Sequence, residues 1–320
     1  MKFPTLPGIM AGMNKLERID SVLAGREPDR PPVSLWYHFG IQHGNGESFA
    51  RTCLEFFEYY DLDWLKVMND YFYPLPDGLE QVASKEDLRR ITPFEVEKSE
   101  WRHQLKALRI IGKTLEKKAY FLDTVFDPWQ TLRRNLAGEN LPALMENEPG
   151  ALLQALEVVT ENLIAYCKLS LGLGAAGIFL SVPASGEIMS REQYLRFCKP
   201  FVVKLLAAIR DLGRMNTAHI HGKELFFSDV VDLPVQVLSW YDRYPGCPGL
   251  REGKAQFAGC VMGGIDQEIV SRRTRAFLRR HVQEALAMGG SSRFFLAGGC
   301  SIASWVDPGS IRAIVEAARE

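Results

Sequence analysis

Short apolar runs, most of them followed by a stretch with helical spacing, recur along the whole chain, and this alternation is what most constrains its fold. The runs are Val33 to Trp36, Trp64 to Met68, Tyr120 to Phe126, Gly177 to Ser181, Asn216 to Ile220, Val235 to Trp240, Phe257 to Met262 and Phe294 to Ala297. Strands alternating with helices build βα units and a parallel sheet. Eight such units within about 300 residues fit a closed barrel better than an open sheet. The expected architecture is therefore α/β: a single (β/α)8 TIM barrel spanning residues 1–320, with an insertion after the second strand.

Local signals agree with that outline. Asn14 is an N-cap type, and Leu16, Ile19 and Leu23 space one apolar face, predicting a helix from Asn14 to Ala24 that Gly25 ends. A polar, glycine-rich run from Gly40 to Gly46 precedes a helical stretch from Ser48 to Tyr60. The interval Tyr71 to Arg102 is longer than a crossover needs and holds Pro74, Pro76, Gly78 and Pro93, which predicts an inserted hairpin or lid. Near Asn147 to Gly150, where a domain boundary is most tempting, the composition does not change.

Composition excludes several partners. Lys and Arg total 38 against 39 for Asp and Glu, a net charge of −1, so no long-range positive field exists to gather nucleic acid or anionic lipid. The longest apolar stretches, Leu171 to Ser181 and Phe201 to Ile209, fall well short of the ~20 residues that span a bilayer. Met1 to Met13 lacks both the charged-then-apolar pattern of a signal peptide and the Arg-rich pattern of a transit peptide, so a cytoplasmic protein is expected. The 6 cysteines contain no CxxC pair and read as reduced thiols.

In such a barrel, chemistry gathers where strands end at their C-terminal side. The polar residues at those points are His38, Asn69, Asp70, Asp127, Ser181, His219, His221, Asp242 and Cys300. In His219-Ile220-His221-Gly222, residues two apart on an extended segment point the same way and present two imidazoles to one ion. Alone, the pair reads more readily as two partly exposed histidines than as a metal site. Cys300, placed by the turn Gly298-Gly299 at the end of the last strand, adds a sulfur; two nitrogens and a thiolate suit Zn2+ with an open fourth position. The competing reading makes Cys300 a small buried apolar residue. Asp70 is a general acid or base, or a helix cap. Asp242 is a displaceable metal ligand or an acceptor for a histidine N–H, or else a salt-bridge partner of Arg243. Trp36, Tyr37 and His38 line a substrate pocket or pack the core, and Asn69, Asp127 and Ser181 complete the candidate substrate wall. P-loop, GxSxG, HExxH and kinase motifs are absent.

These residues resemble the uroporphyrinogen decarboxylase superfamily, which includes the decarboxylase and the zinc methyltransferases that serve corrinoid proteins. The resemblance runs from Arg18-Ile19-Asp20-Ser21-Val22-Leu23-Ala24-Gly25-Arg26-Glu27-Pro28-Asp29-Arg30-Pro31-Pro32-Val33, through His219-Ile220-His221-Gly222, to Gly298-Gly299-Cys300-Ser301-Ile302 and the closing segment Asp307 to Glu320. It implies a (β/α)8 barrel. The decarboxylase branch carries an Arg-rich segment after its first strand to hold several carboxylates; here that place reads Leu35-Trp36-Tyr37-His38-Phe39-Gly40, without arginine. Asp70 resembles that branch's catalytic aspartate, which keeps open a lyase acting on a porphyrinogen or smaller carboxylate. The methyltransferase branch holds zinc with a His-x-Cys pair and a distant Cys. This chain resembles it at His219 and Cys300 and has His221 in place of the middle Cys, one anionic thiolate fewer. Asp242 lies close to where that branch places an acidic residue at the fourth zinc position. The resemblance thus implies a zinc-dependent methyltransferase acting on a small-molecule methyl donor or acceptor. Its corrinoid would come from a transient protein partner, since no DxHxxG segment is present.

Overall fold

The computed structural model describes residues 12–41 and 44–320; the leader reading of Met1 to Met13 lies almost wholly outside the described residues, as does part of the Gly40 to Gly46 run. Eight parallel strands form one sheet: β1 (Val33–Ser34), β2 (Trp64–Val67), β3 (Tyr120–Phe126), β4 (Gly177–Val182), β5 (Thr217–Ile220), β6 (Val237–Trp240), β7 (Cys260–Ile265) and β8 (Phe294–Gly298). Their order, β1-β8-β7-β6-β5-β4-β3-β2, is that of a (β/α)8 barrel wound in chain sequence. Each strand lies within or near its apolar run; β7 begins later, at Cys260, because Phe257 ends the preceding helix as its C-cap.

The seam between β1 and β2 is closed by side chains as well as backbone. Asp63 N–H donates to Val33 O at 3.0 Å, Ser34 Oγ donates to Trp64 O at 2.8 Å, and Asp63 Oδ2 accepts the Val33 N–H at 2.8 Å. The fully buried Asp63 carboxylate also binds Arg18 Nη1 at 2.8 Å and Arg30 Nη1 at 2.6 Å. Arg18 lies in the helix Lys15–Leu23, which Asn14 and Glu17 start with a reciprocal capping box. Ile19 and Val22 of that helix pack with Trp64, Met215, Val237 and Cys260 inside the barrel, so the helix plugs its N-terminal end.

Alternation along each strand sorts residues between the barrel interior and the helix layer. On β2, Trp64 belongs to the inner cluster and Leu65 and Val67 to the outer one, which puts Lys66 on the inner face. On β5 the outer residues are Ala218 and Ile220, leaving His219 facing in. Ser181, His219 and Ser239 sit level on adjacent strands in the upper part of the barrel.

The insertion expected after β2 is present, and of its two expected forms, hairpin or lid, the hairpin is not formed: the segment carries the helix Lys85–Arg89 and a 3-10 turn Val96–Lys98, and among the described residues it has no strand. Its prolines interrupt ladder donors, and the segment docks instead on the loop after β3, where Val82 N–H donates to Leu136 O and Gln81 Nε2 to Ala137 O. At Asn147 to Gly150 the chain passes directly into the long helix Pro149–Gly172. No described helix is long and apolar enough to cross a membrane.

Candidate metal centre

His219 reaches the barrel interior from β5, and His221 follows one pleat later. Gly222 takes φ +105°, and a Cβ there would lie 2.6 Å from Ser185 Oγ, so only glycine lets the chain leave β5 at this point. Cys300 comes from the far side of the ring. A Cβ on Gly299 would lie 2.9 Å from the Tyr241 Cα, so a residue without a side chain is needed to bring the β8 turn down onto the β6 end. The donor atoms of His219, His221 and Cys300 all lie within 4.8 Å of one another.

Their environment suits neutral nitrogen donors. Burial, then the neighbouring His221 and Lys66, hold the His219 imidazole well below its ordinary range; burial lowers His221 as well. His219 Nδ1 lies 3.3 Å from Ser239 Oγ and its ring stacks on Phe179, so a second contact fixes its orientation. Burial raises the Cys300 thiol, opposed by the Ser301 backbone N–H and by Lys66. Two imidazoles and a sulfur in mutual reach form a donor set that fits zinc. His221 is exposed and Cys300 half-buried, which leaves the group approachable.

Two cavities open on the group, and the residues common to both are His219, His221 and Cys300. The first, about 110 Å³, also has Trp36, His38, Lys66, Gln130, Arg134 and Ser181 in its wall. The second, about 210 Å³, takes Glu187, Lys223, Tyr241, Gln267 and Glu268.

The remaining sequence candidates divide accordingly. Trp36, His38 and Ser181 line the first cavity, with Gln130 Nε2 donating to Ser181 Oγ at 3.1 Å. Asp70 lines neither cavity: its Oδ2 accepts from His38 Nδ1 at 2.7 Å and its Oδ1 lies 3.8 Å from Arg134. Despite its burial, His38 and Arg134 hold its carboxyl below the ordinary value. Tyr37 packs edge-on against Phe39 and Phe56, away from both walls. Asn69 donates to Tyr166 Oη, which in turn donates to the buried Asp123 at 2.6 Å, a network behind β3. Asp127 is the N-cap of the helix Pro128–Leu132; burial pushes it up to about 7 and leaves Oδ2 without a partner. Asp242, the expected fourth ligand, is not among the three clustered donors: its Oδ1 takes the Gly264 N–H at 2.8 Å, Arg243 lies 3.9 Å from Oδ2, and burial raises its carboxyl to about 6. The glycine pair Gly263-Gly264 on β7 draws it away, since a Cβ on Gly263 would lie 2.5 Å from Asp242 Oδ1.

Lys66 was missed by sequence reasoning. Its Nζ contacts Met68 Sδ at 2.8 Å, donates to Thr124 Oγ1 at 2.9 Å and lies 4.4 Å from the centroid of Phe179. Burial lowers its amine to about 7, against the raising effect of Cys300, Asp70 and Asp123. The available signal was parity: a lysine between Trp64 and Met68 in a buried strand must face inward with them.

The Uroporphyrinogen decarboxylase (URO-D) family matches residues 74–320. The chain belongs to this family. Similar solved structures share the barrel. A methyltransferase from Methanosarcina mazei superposes with a TM-score of 0.78 at 19% identity, covering 96% of this chain and 98% of its own. A B12-independent methionine synthase from Shewanella sp. W3-18-1 gives 0.59 at 12% identity over 91% and 92%. An endo-beta-1,4-mannanase from Thermotoga petrophila gives 0.55 at 12% over 93% and 78%, so the barrel by itself fixes no reaction. No curated protein matches the sequence. For this URO-D member, the chemistry has to be argued from the site.

Proposed function

We propose that this URO-D family member is a zinc-dependent methyltransferase, moving a methyl group between a small substrate or thiol and a corrinoid carried by a separate protein. The observation that carries this reading is the convergence of His219, His221 and Cys300, three zinc-type donors within 4.8 Å, on cavities large enough for a small molecule. The structural likeness to a methyltransferase supports it.

His219, His221 and Cys300 would hold the ion, with Ser239 keeping the His219 ring oriented. Bound there, zinc supplies Lewis acidity, which acidifies a substrate thiol or polarises a methylated oxygen or nitrogen. Trp36 and Phe179, packed edge-to-face, form an apolar part of the first cavity's wall. Proton transfer falls to His38: its Nδ1 is bonded to Asp70 and the ring lines the cavity, so Asp70 fixes the ring's orientation and tautomer. Asp70 is then a positioning residue. The lyase alternative makes Asp70 the central group, and a carboxylate tied to His38 outside both cavity walls is poorly placed for that work.

Elemental analysis of untagged protein tests the reading. The expected result is about one zinc per chain, lost in both His221→Ala and Cys300→Ala. Wild-type protein that stays metal-free after incubation with Zn2+ would refute it.

A further inference from the structure

Lys66 is a nucleophile of the first cavity for which metal-assisted methyl transfer has no use. It is 4% exposed, yet it lines that cavity, and its Nζ is surrounded by four other residues of the same wall. Met68 Sδ lies at 2.8 Å, Thr124 Oγ1 at 2.9 Å, and the ring centroids of Phe179 and Trp36 at 4.4 and 5.2 Å. The wall holds no carboxylate, and among the described residues Lys66 is in no ion pair. Thr124 Oγ1 gives its own proton to Val67 O at 2.7 Å, so toward Lys66 it accepts. In the neutral amine one N–H therefore points to Thr124 and the other to Met68, and the lone pair has no donor among the described residues. Burial favours that neutral form, lowering the amine to about 7. A lysine that is desolvated, unpaired and set in a cavity wall is a nucleophile at neutral pH.

We propose that Lys66 is a covalent capture site for small aldehydes and ketones, which the first cavity holds as an imine. The lone pair of Nζ adds to the carbonyl carbon, and the carbonyl π pair moves to the oxygen. A proton passes from nitrogen to that oxygen, through His38 of the same wall or through water. The hydroxyl then leaves as water while the C=N bond forms, so amine and carbonyl give imine and water with no electrons exchanged. The ring faces of Trp36 and Phe179 that lie over the nitrogen stabilise the iminium cation on this path, which favours a carbonyl compound over an acylating one. A cavity of about 110 Å³ limits the captured molecule to a few carbon atoms.

The test is reductive trapping of the full-length protein with propanal and sodium cyanoborohydride at about pH 7.5, followed by peptide mapping at timed intervals. An ordinary lysine is only about one part in a thousand neutral at that pH. Lys66 should therefore be the first lysine filled, about tenfold or more faster than the exposed Lys113 and Lys118. In concentrated urea the preference should vanish, because it depends on burial. Lys66→Met should lack this one adduct and keep those on the surface. Filling of Lys66 no faster than that of Lys113 and Lys118, or a preference that survives urea, would overturn the inference. The wild-type map decides the matter by itself if Lys66→Met does not fold. Trapping requires neither zinc nor methyl transfer, so it fails or succeeds independently of the elemental analysis.

Discussion

Replacing Lys66 with methionine should stabilise the metal-free protein, and the gain should depend on pH in a defined direction. The amine has an ordinary value of 10.5 and is lowered to about 7 by burial on the inner face of β2. Between those values the unfolded chain binds a proton that the folded chain does not, so wild-type stability rises as pH rises from 7 to 10.5. Below pH 7 both states are protonated and the folded state carries the full cost of a desolvated ammonium. With 3.5 pH units separating the two values, at about 1.36 kcal/mol per unit, that cost is about 5 kcal/mol. Methionine keeps the length, removes the charge and leaves Thr124 Oγ1 still donating to Val67 O at 2.7 Å. Urea unfolding of both proteins with chelator present should therefore give a difference of about 4 kcal/mol at pH 7 that shrinks to about 1 kcal/mol at pH 9.5. A difference that is flat across this range, or a variant less stable than wild type at pH 7, would show that Lys66 is not a desolvated amine.

Three further outcomes follow from the geometry. Asp63→Asn removes the charge that holds Arg18, Arg30 and the β1–β2 seam; breaking such a buried pair costs about 3–5 kcal/mol, and thermal melts should fall by roughly 5 °C. An unchanged melting temperature would mean that the backbone closes the barrel alone. Gly299→Ala should displace Cys300 and lower zinc content in a protein whose circular dichroism stays native, because its Cβ meets the Tyr241 backbone; full zinc occupancy would refute the packing argument. In the methyl-transfer reaction proposed above, His38→Gln should lower turnover about a hundredfold or more at unchanged zinc content. Imidazole added to a His38→Ala variant should restore part of the rate. A rate loss that imidazole never rescues would assign His38 a packing role.

What the sequence made legible was whatever repeats or sits at a chain-local position. All eight strands could be found because each is a short apolar run, and His219, His221 and Cys300 could be found because strand ends, glycine turns and side-chain parity are local properties. Asp242 illustrates the other case: its place at the end of β6 was readable, but its direction depends on Gly263 and Gly264 of the next strand, which leave room for its carboxylate and supply a donor. Asp70 likewise follows β2 by three residues, while its bond to His38 depends on how the β1 loop crosses over it. The hairpin after β2 failed for a similar reason, since the segment's partners lie in the loop after β3.

Lys66 and His221 belong to one charge balance. The methyltransferase branch that this chain resembles has a thiolate where His221 stands, and exchanging it for imidazole makes a zinc group one unit more positive. An ammonium at Lys66 would then be a second cation sharing a buried cavity with His219, His221 and Cys300, where like charges are screened least. A neutral amine returns the total charge to what a second thiolate beside a lysine cation would have given. Lowered by burial, Lys66 would shed its proton if the proposed zinc were held at Cys300 and keep it when the sulfur stands alone. Zinc binding to wild type should thus release one more proton than binding to Lys66→Met below pH 7, and the two proteins should become alike well above it.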